Sequence, residues 1–284
     1  MAKTRIIIIL LVIISYNFIW MKHVTIISII FLFMFSSCKK EATVAYNSSV
    51  KAPISIEFDN VVGGADLLLD NQAYTNANNE QFTISMFKYF ISNIVLTNTD
   101  GAKYTVPQDS SYFLIDESDA SSLSTRVNVP EGEYSSIEFV VGVDSLRNTM
   151  DISRRTGVLD PTGTASGMYW SWNSGYIFFK MEGTSPVSTQ DDNIFHYHIG
   201  LFGGYSTPTL NNLKKIAINL TSRGVAKVKS GKVANIHLLV DALKMFNGSN
   251  NISIATNAVV MASPFSAQIA ENYVNMFEHD YTEN

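Results

Sequence analysis

Five histidines occur in the 284 residues, and two of them stand one residue apart, as His196-Tyr197-His198. Phe195–Leu201 alternates apolar and polar positions and reads as a strand. In a strand both imidazoles project from the same face, roughly 6.5–7 Å apart along the chain. That spacing suits two nitrogen ligands of one metal ion, and imidazole favours copper or zinc. The same pattern also fits an edge-strand face on which two histidines are merely solvated. A second concentration is aromatic. Met168-Tyr169-Trp170-Ser171-Trp172 runs on into Asn173-Ser174-Gly175-Tyr176 and holds two of the three tryptophans. Trp170 and Trp172, at i and i+2, share one face if the segment is extended. The aromatic core of a sandwich has the same composition, so that alternative stands beside the functional one.

Other chemistry-bearing residues carry less. In Val233–Asp241 the residues Ala234, Ile236, Leu238 and Val240 form the apolar face, which leaves His237 opposite, with Asn235, as a surface strand residue. His279 follows the last helical pattern among Glu278, Asp280 and Glu283 and reads as a solvated tail residue. The acid pairs Asp116-Glu117 and Asp191-Asp192 are adjacent, so in an extended chain their side chains diverge; they read as solvated loops. No nucleotide-cradling Gly-rich loop, nucleophile elbow or helical metalloprotease pair occurs. The expectation is a binding protein and not an enzyme.

Composition narrows the partners. Lys+Arg 20 against Asp+Glu 25 gives a formal charge of −5, and only 16% of residues are charged. Residues 1–37 contain Lys3, Arg5 and Lys22 and no acid, so the remainder holds 17 cations against 25 acids, or −8. Without a basic excess there is no electrostatic footprint for nucleic acid. The single cysteine, Cys38, excludes a disulfide framework and any cysteine-built zinc or iron–sulfur site.

The first 37 residues read as an address. Two apolar runs, Ile6–Ile19 and Ile26–Phe35, each fall short of the ~20 residues that span a bilayer. The second has a signal-peptide layout: Met21-Lys22-His23, an apolar stretch, then Phe35-Ser36-Ser37-Cys38. Small residues before Cys38 and polar Lys39-Lys40-Glu41 after it match a lipoprotein signal, in which Cys38 is acylated and becomes the first residue. A plain signal peptide with a chance cysteine is the alternative. The duplicated leader points to Met21 as the true start. The expected organisation is a leader over 1–37, a lipid-anchored tether over 38–52 and one domain over 53–284.

Period-two alternation dominates that domain. It runs through Ile54–Phe58, Phe82–Ile84, Ile91–Thr97, Tyr134–Val143, Gly175–Glu182, Phe195–Leu201, Lys214–Leu220, Val233–Asp241 and Ile252–Ala255. Turn signals separate these segments, and Asp100-Gly101 reads as a hairpin between Ile94–Thr97 and Tyr104–Val106. Asp144–Ser166 is a long loop carrying Arg147, Arg154 and Arg155. The clearest helical pattern is Ser266–Phe277, with Ile269, Tyr273, Met276 and Phe277 on one face. The expected fold is therefore all-β: an antiparallel β-sandwich with long loops and a short C-terminal helix.

Several segments, in order, resemble the MbnP-like family: ISMFKYFISNIVL (84–96), VGVDSLRN (141–148), GVLDP (157–161), MYWSWNSGYIFFKMEG (168–183), HYHIG (196–200) and IAENYVNMF (269–277). The resemblance covers about residues 52–278. This family is named for the methanobactin-associated copper-binding protein, and its Bacteroidota members are lipoproteins. The resemblance implies a β-sandwich that binds one copper ion through histidines and a kynurenine made from tryptophan. A partner resembling a di-haem cytochrome c peroxidase performs that oxidation. Carried onto this chain, His198 matches the family histidine and His196 is its chelating companion. Trp170 and Trp172 are the candidates for oxidation. Asn60, in FDNVVGG (58–64), stands where another imidazole is sought, which implies a missing ligand. The cofactor implied is copper, with no nucleotide and no haem of the chain's own. The location implied is the cell envelope, at the outer membrane facing the periplasm, through Cys38. The role implied is copper uptake, delivery or storage; the alternative is a metal-free module that docks a partner through its aromatic face. Neutral imidazole ligands would bind less as pH falls through about 6.5. Asp144 or a backbone carbonyl could orient such a ligand.

Overall fold

The computed structural model describes residues 45–172 and 175–284. The expected leader, Met21 and Cys38 lie outside the described residues, as do Asn173 and Ser174. Among the described residues the strands are β1 (Lys51–Val62), β2 (Ala65–Asp66), β3 (Tyr74–Thr75), β4 (Gln81–Asn98), β5 (Lys103–Thr105) and β6 (Tyr112–Asp116). β7 (Ser124–Pro130) and β8 (Gly132–Val141) precede a short helix, α1 (Ser145–Thr149). Then come β9 (Tyr169–Trp170), β10 (Gly175–Tyr176), β11 (Phe179–Thr184), β12 (Ile194–Ile199), β13 (Lys214–Asn219), β14 (Ala226–Val228), β15 (Ala234–Asp241) and β16 (Val259–Val260). The chain closes with α2 (Ser266–Asn272) and β17 (Phe277–Glu283).

Two sheets face each other, as the alternation predicts. The smaller has the order β17-β15-β1-β2, with β7 also on β1; the larger runs β13-β8-β4-β11-β12-β16. The inward residues of both build one core. Phe58 of β1 meets Tyr89 of β4 and Phe139 of β8 edge-on, at ring-centroid distances of 6.2 and 6.0 Å. The Asp100-Gly101 hairpin forms as read, pairing Leu96 with Tyr104. Two ladders depart from a wholly antiparallel arrangement: β1 pairs β15 in parallel, and β12 pairs β16 in parallel. Both join strands distant in sequence, so turn signals gave no guide to their direction.

A second, smaller core lies under the long loop. Phe90, Val143, Leu159, Met168, Tyr176 and Phe178 are buried together there. Arg155 fastens this loop. Its guanidinium lies over the Tyr169 ring at 4.8 Å and donates to the carbonyls of Asn148 and Met150. The Asn148 side chain in turn accepts from the Tyr176 amide at 2.8 Å.

Several expectations change. The helix ends at Asn272, a 3-10 turn follows over Tyr273–Met276, and Phe277 begins a strand instead of closing the helix. The Asn272 amide, donating to the carbonyls of Met245 and Asn250, ties that end down. The strand explains both remaining histidines. β17 pairs β15, so His279 is opposite Leu238 and 5% exposed instead of solvated, and its Nε2 meets Thr282 Oγ1 at 2.9 Å. His237 is likewise buried, not a surface residue. The Tyr281 ring lies flat on it at 4.5 Å, with Asp280 at 3.3 Å and Asp59 at 3.6 Å. Asp116-Glu117 is not a solvated loop either: Asp116 pairs with Lys88 at 2.6 Å and Glu117 accepts from Asn60 at 2.8 Å.

Ile252–Ala255, read as a strand, turns back on a carboxylate. Glu80 accepts from the amides of Ile254 (2.8 Å) and Ala255 (3.1 Å) and from the side chains of Ser253 (2.7 Å) and Asn76 (2.6 Å). Those donors claim the backbone amides that a strand ladder would need. Burial pushes the Glu80 carboxyl up, but the hydrogen bonds from Asn76, Ser253, Ile254 and Ala255 outweigh it and hold its pKa below the usual range. A folded-state pKa lowered in this way contributes stability above the unfolded value of about 4.3, and the contribution disappears as pH falls through the folded one. Glu80→Ala should therefore cost about 3 kcal/mol in urea unfolding at pH 7. The gap between the wild type and Glu80→Gln should narrow as the pH drops below about 4.

Candidate metal centre

The chain places the histidine pair by anchoring the residues between. On β12 the side chains of Phe195, Tyr197 and Ile199 are fully buried, so His196 and His198 are turned to the outer face of the larger sheet. Their rings are nearly parallel, with centroids 5.6 Å apart and an interplanar angle of 14°. β12 is not an edge: β11 flanks it on one side and β16 on the other. Among the described residues, no hydrogen bond engages the His196 ring.

His198 has a carboxylate partner. Its Nε2 lies 2.7 Å from Oε1 of Glu182, a residue of the neighbouring strand β11. Lys180 Nζ lies 3.2 Å from the same oxygen. Burial holds the His198 pKa below the ordinary imidazole value, and the Lys180 and His196 charges push the same way, against the Glu182 contact. Burial raises the Glu182 carboxyl, but the His198 hydrogen bond and the Lys180 charge more than reverse this, so its pKa is lowered. A glutamate carboxylate is ionised at pH 7. An ionised carboxylate can only accept, so Nε2 of His198 carries the proton and Nδ1 keeps a bare lone pair. Glu182 fills the orienting role considered for Asp144. Asp144 instead caps α1, accepting from the Arg147 amide at 3.2 Å, and also accepts from the Tyr112 hydroxyl.

The aromatic motif approaches the chain just beyond β12, at Gly200. Trp170 and Trp172 stack with ring centroids 5.2 Å apart and 30° between planes. Gly200, two residues beyond His198 on the same side, has no side chain where the indole of Trp170 lies: a Cβ at Gly200 would stand 2.8 Å from its Cζ3. Trp172 is the outer ring of the stack, 53% exposed. Trp172 therefore lies outside any core, whereas Trp170 is half-buried and packs against the smaller core under the long loop. Tyr169 and Tyr176 pack in the same loop core, in edge contact at 5.1 Å.

Asn60 does not join this group. It faces the space between the sheets, where it accepts from the Tyr89 hydroxyl at 2.9 Å and donates to Glu117. Among the described residues, no three His, Cys, Asp or Glu side chains are arranged to hold a metal ion together. The donor set that is present consists of two imidazoles, one of them neutral and oriented by a carboxylate, beside an indole pair. Imidazole nitrogens with an oriented ring fit a nitrogen-preferring metal. Glu182 and Lys180 were not singled out from the sequence. Their alternation puts them on the outer face of β11, but only the strand order places that face beside β12.

The chain is thus a β-sandwich with paired histidines on the outside of one sheet and stacked tryptophans beside the end of β12. The MbnP family model matches residues 51–262, and the chain belongs to that family. Among solved structures, MbnP from Methylosinus trichosporium shares the fold, with a TM-score of 0.52 at 17% identity, covering 76% of this chain and 82% of that one. No curated protein matches by sequence.

The close approach at Gly200 gives a test of the geometry. A Cβ in Gly200→Ala meets the Tyr176 carbonyl oxygen at 2.5 Å as well as the Trp170 ring. The variant should be less stable by about 1–3 kcal/mol and should lose the far-ultraviolet circular dichroism exciton couplet of the stacked indoles.

Proposed function

We propose that this chain is an exported, lipid-anchored protein that binds one copper ion through His196, His198 and an oxidised Trp170. The observation that carries the reading is His198, oriented by Glu182 and stacked beside His196, with the Trp170 indole against Gly200 two residues further on. Copper(II) prefers nitrogen donors, and neutral imidazoles with an aromatic amine supply them. Membership of the MbnP family supports copper as the metal.

The two tryptophans take different parts. Trp170 approaches Gly200 and is the candidate for conversion to kynurenine, whose amine would be the further nitrogen ligand. Trp172 lies outside it and is open to a docking protein, for which a di-haem cytochrome c peroxidase-like partner is the candidate. His196 and His198 bind, and Glu182 orients the second of them. When bound, copper supplies a charge for transport or storage; no catalytic turnover is assigned. The chain is placed at the outer membrane, facing the periplasm, by acylation of Cys38, for copper uptake, delivery or storage.

The exposure of Trp172 supports a second reading, a metal-free module that docks its partner through the aromatic face. Copper titration against a competing chelator separates the two. His198→Ala and His196→Ala should each weaken copper binding on the order of 100-fold or more. Undiminished binding in the double variant would refute the histidine site. A wild-type protein that takes no copper, while still binding its partner, would establish the docking module.

A further inference from the structure

Lys180 is the point where the histidine pair and the tryptophan segment are joined. Its Nζ lies 3.2 Å from Glu182 Oε1 and donates to the carbonyl of Gly167, also at 3.2 Å. Gly167 sits three residues before Trp170 in the turn that leads into β9, in a left-handed conformation (φ 73°). An unbroken chain of polar contacts therefore runs from His198 Nε2 to Glu182, to Lys180, to the backbone of the tryptophan loop.

The surroundings show that this chain is specific. Lys180 and Glu182 lie opposite His198 and His196 in the β11–β12 register, so the Glu182 contact to His198 is a diagonal one. The neighbouring cation, Lys88, is opposite Lys180 on β4 but is committed to Asp116 at 2.6 Å. Lys180 is thus the cation that neutralises Glu182. The Lys180, Glu182 and His198 side chains are 12%, 21% and 12% exposed, so water screens these contacts weakly.

We propose that Lys180 and Glu182 are positioning residues that set two things at once: which nitrogen of His198 is free, and where the Trp170–Trp172 segment lies relative to Gly200. The role rests on the copper reading above, while the geometry it claims does not. Glu182 fixes the proton on Nε2 and leaves Nδ1 as the donor. Lys180 holds Glu182 and draws the Gly167 carbonyl in, which ties the tryptophan segment to the same carboxylate. Outer partners of this type commonly change metal affinity by roughly 10–100-fold when removed.

The test uses the full-length protein without metal, with ¹⁵N-labelled histidine, at pH 7.5. Wild-type His198 should give the Nε2–H tautomer. Glu182→Gln, which keeps an accepting oxygen, should retain that tautomer, and Glu182→Ala should lose it. Lys180→Met should lose the indole couplet, and Lys180→Arg should restore it. In copper titration, Glu182→Ala and Lys180→Met should each bind roughly 10–100-fold more weakly. An Nδ1–H tautomer in the wild type, or an intact indole couplet in Lys180→Met, would overturn the proposal. If Glu182→Ala does not fold, the wild-type tautomer and the lysine pair decide the matter. A wild type that shows the expected tautomer and couplet but takes no copper would leave the positioning chain standing and refute the copper reading alone.

Discussion

Phe195, Tyr197 and Ile199 are sealed between the two sheets, and the pleat of β12 then leaves His196, His198 and the bare Gly200 on the outside. Burying such side chains contributes roughly 1.5–3 kcal/mol each. A one-residue slip would expose all three and drive two imidazoles into an apolar core, so the register is strongly fixed. Neighbouring strands on both sides fix it further, through the Lys180–His198 and His196–Val259 pairings. The face carrying the histidine pair is thus fixed in register by the residues sealed on the opposite side of the strand.

On that platform the remaining parts are brought in by polar contacts. The long loop after β8 has its own small core around Phe90 and Tyr176, and Arg155 pins it through Tyr169 and two carbonyls. Its far end carries Trp170 back over Gly200, and Lys180 ties that end to Glu182. A carboxylate beside a half-buried imidazole would be costly alone. Shared between an ammonium and a ring N–H, it becomes the element that orients the ligand.

The legible and the hidden parts of the molecule divide along one physical line. Alternation within a segment shows which side chains share a face, so the outward pair His196 and His198, on either side of the inward Tyr197, is legible directly. Which strands lie side by side is decided by the packing of distant segments. Glu182 beside His198, the parallel β1–β15 pair and the sealing of His237 by Tyr281 all depend on such neighbours. β17 was missed because Phe277–Glu283 is acidic and polar and follows a helical face that masks its start. Ile252–Ala255 was misread because its apolar residues alternate while its amides are claimed by Glu80. Asn60 drew notice by its position in a motif, yet its side chain completes a hydrogen-bond network inside the sandwich.

The central claim is that histidines and a modified tryptophan on this face hold one copper ion. Metal analysis combined with peptide mass, on protein isolated from its native envelope, tests it most directly. The account predicts about one copper per chain and a peptide holding Trp170 and Trp172 that is about 4 Da heavier, one carbon lost and one oxygen gained at Trp170. Absence of copper even after reconstitution at neutral pH, with both tryptophans unmodified, would contradict it.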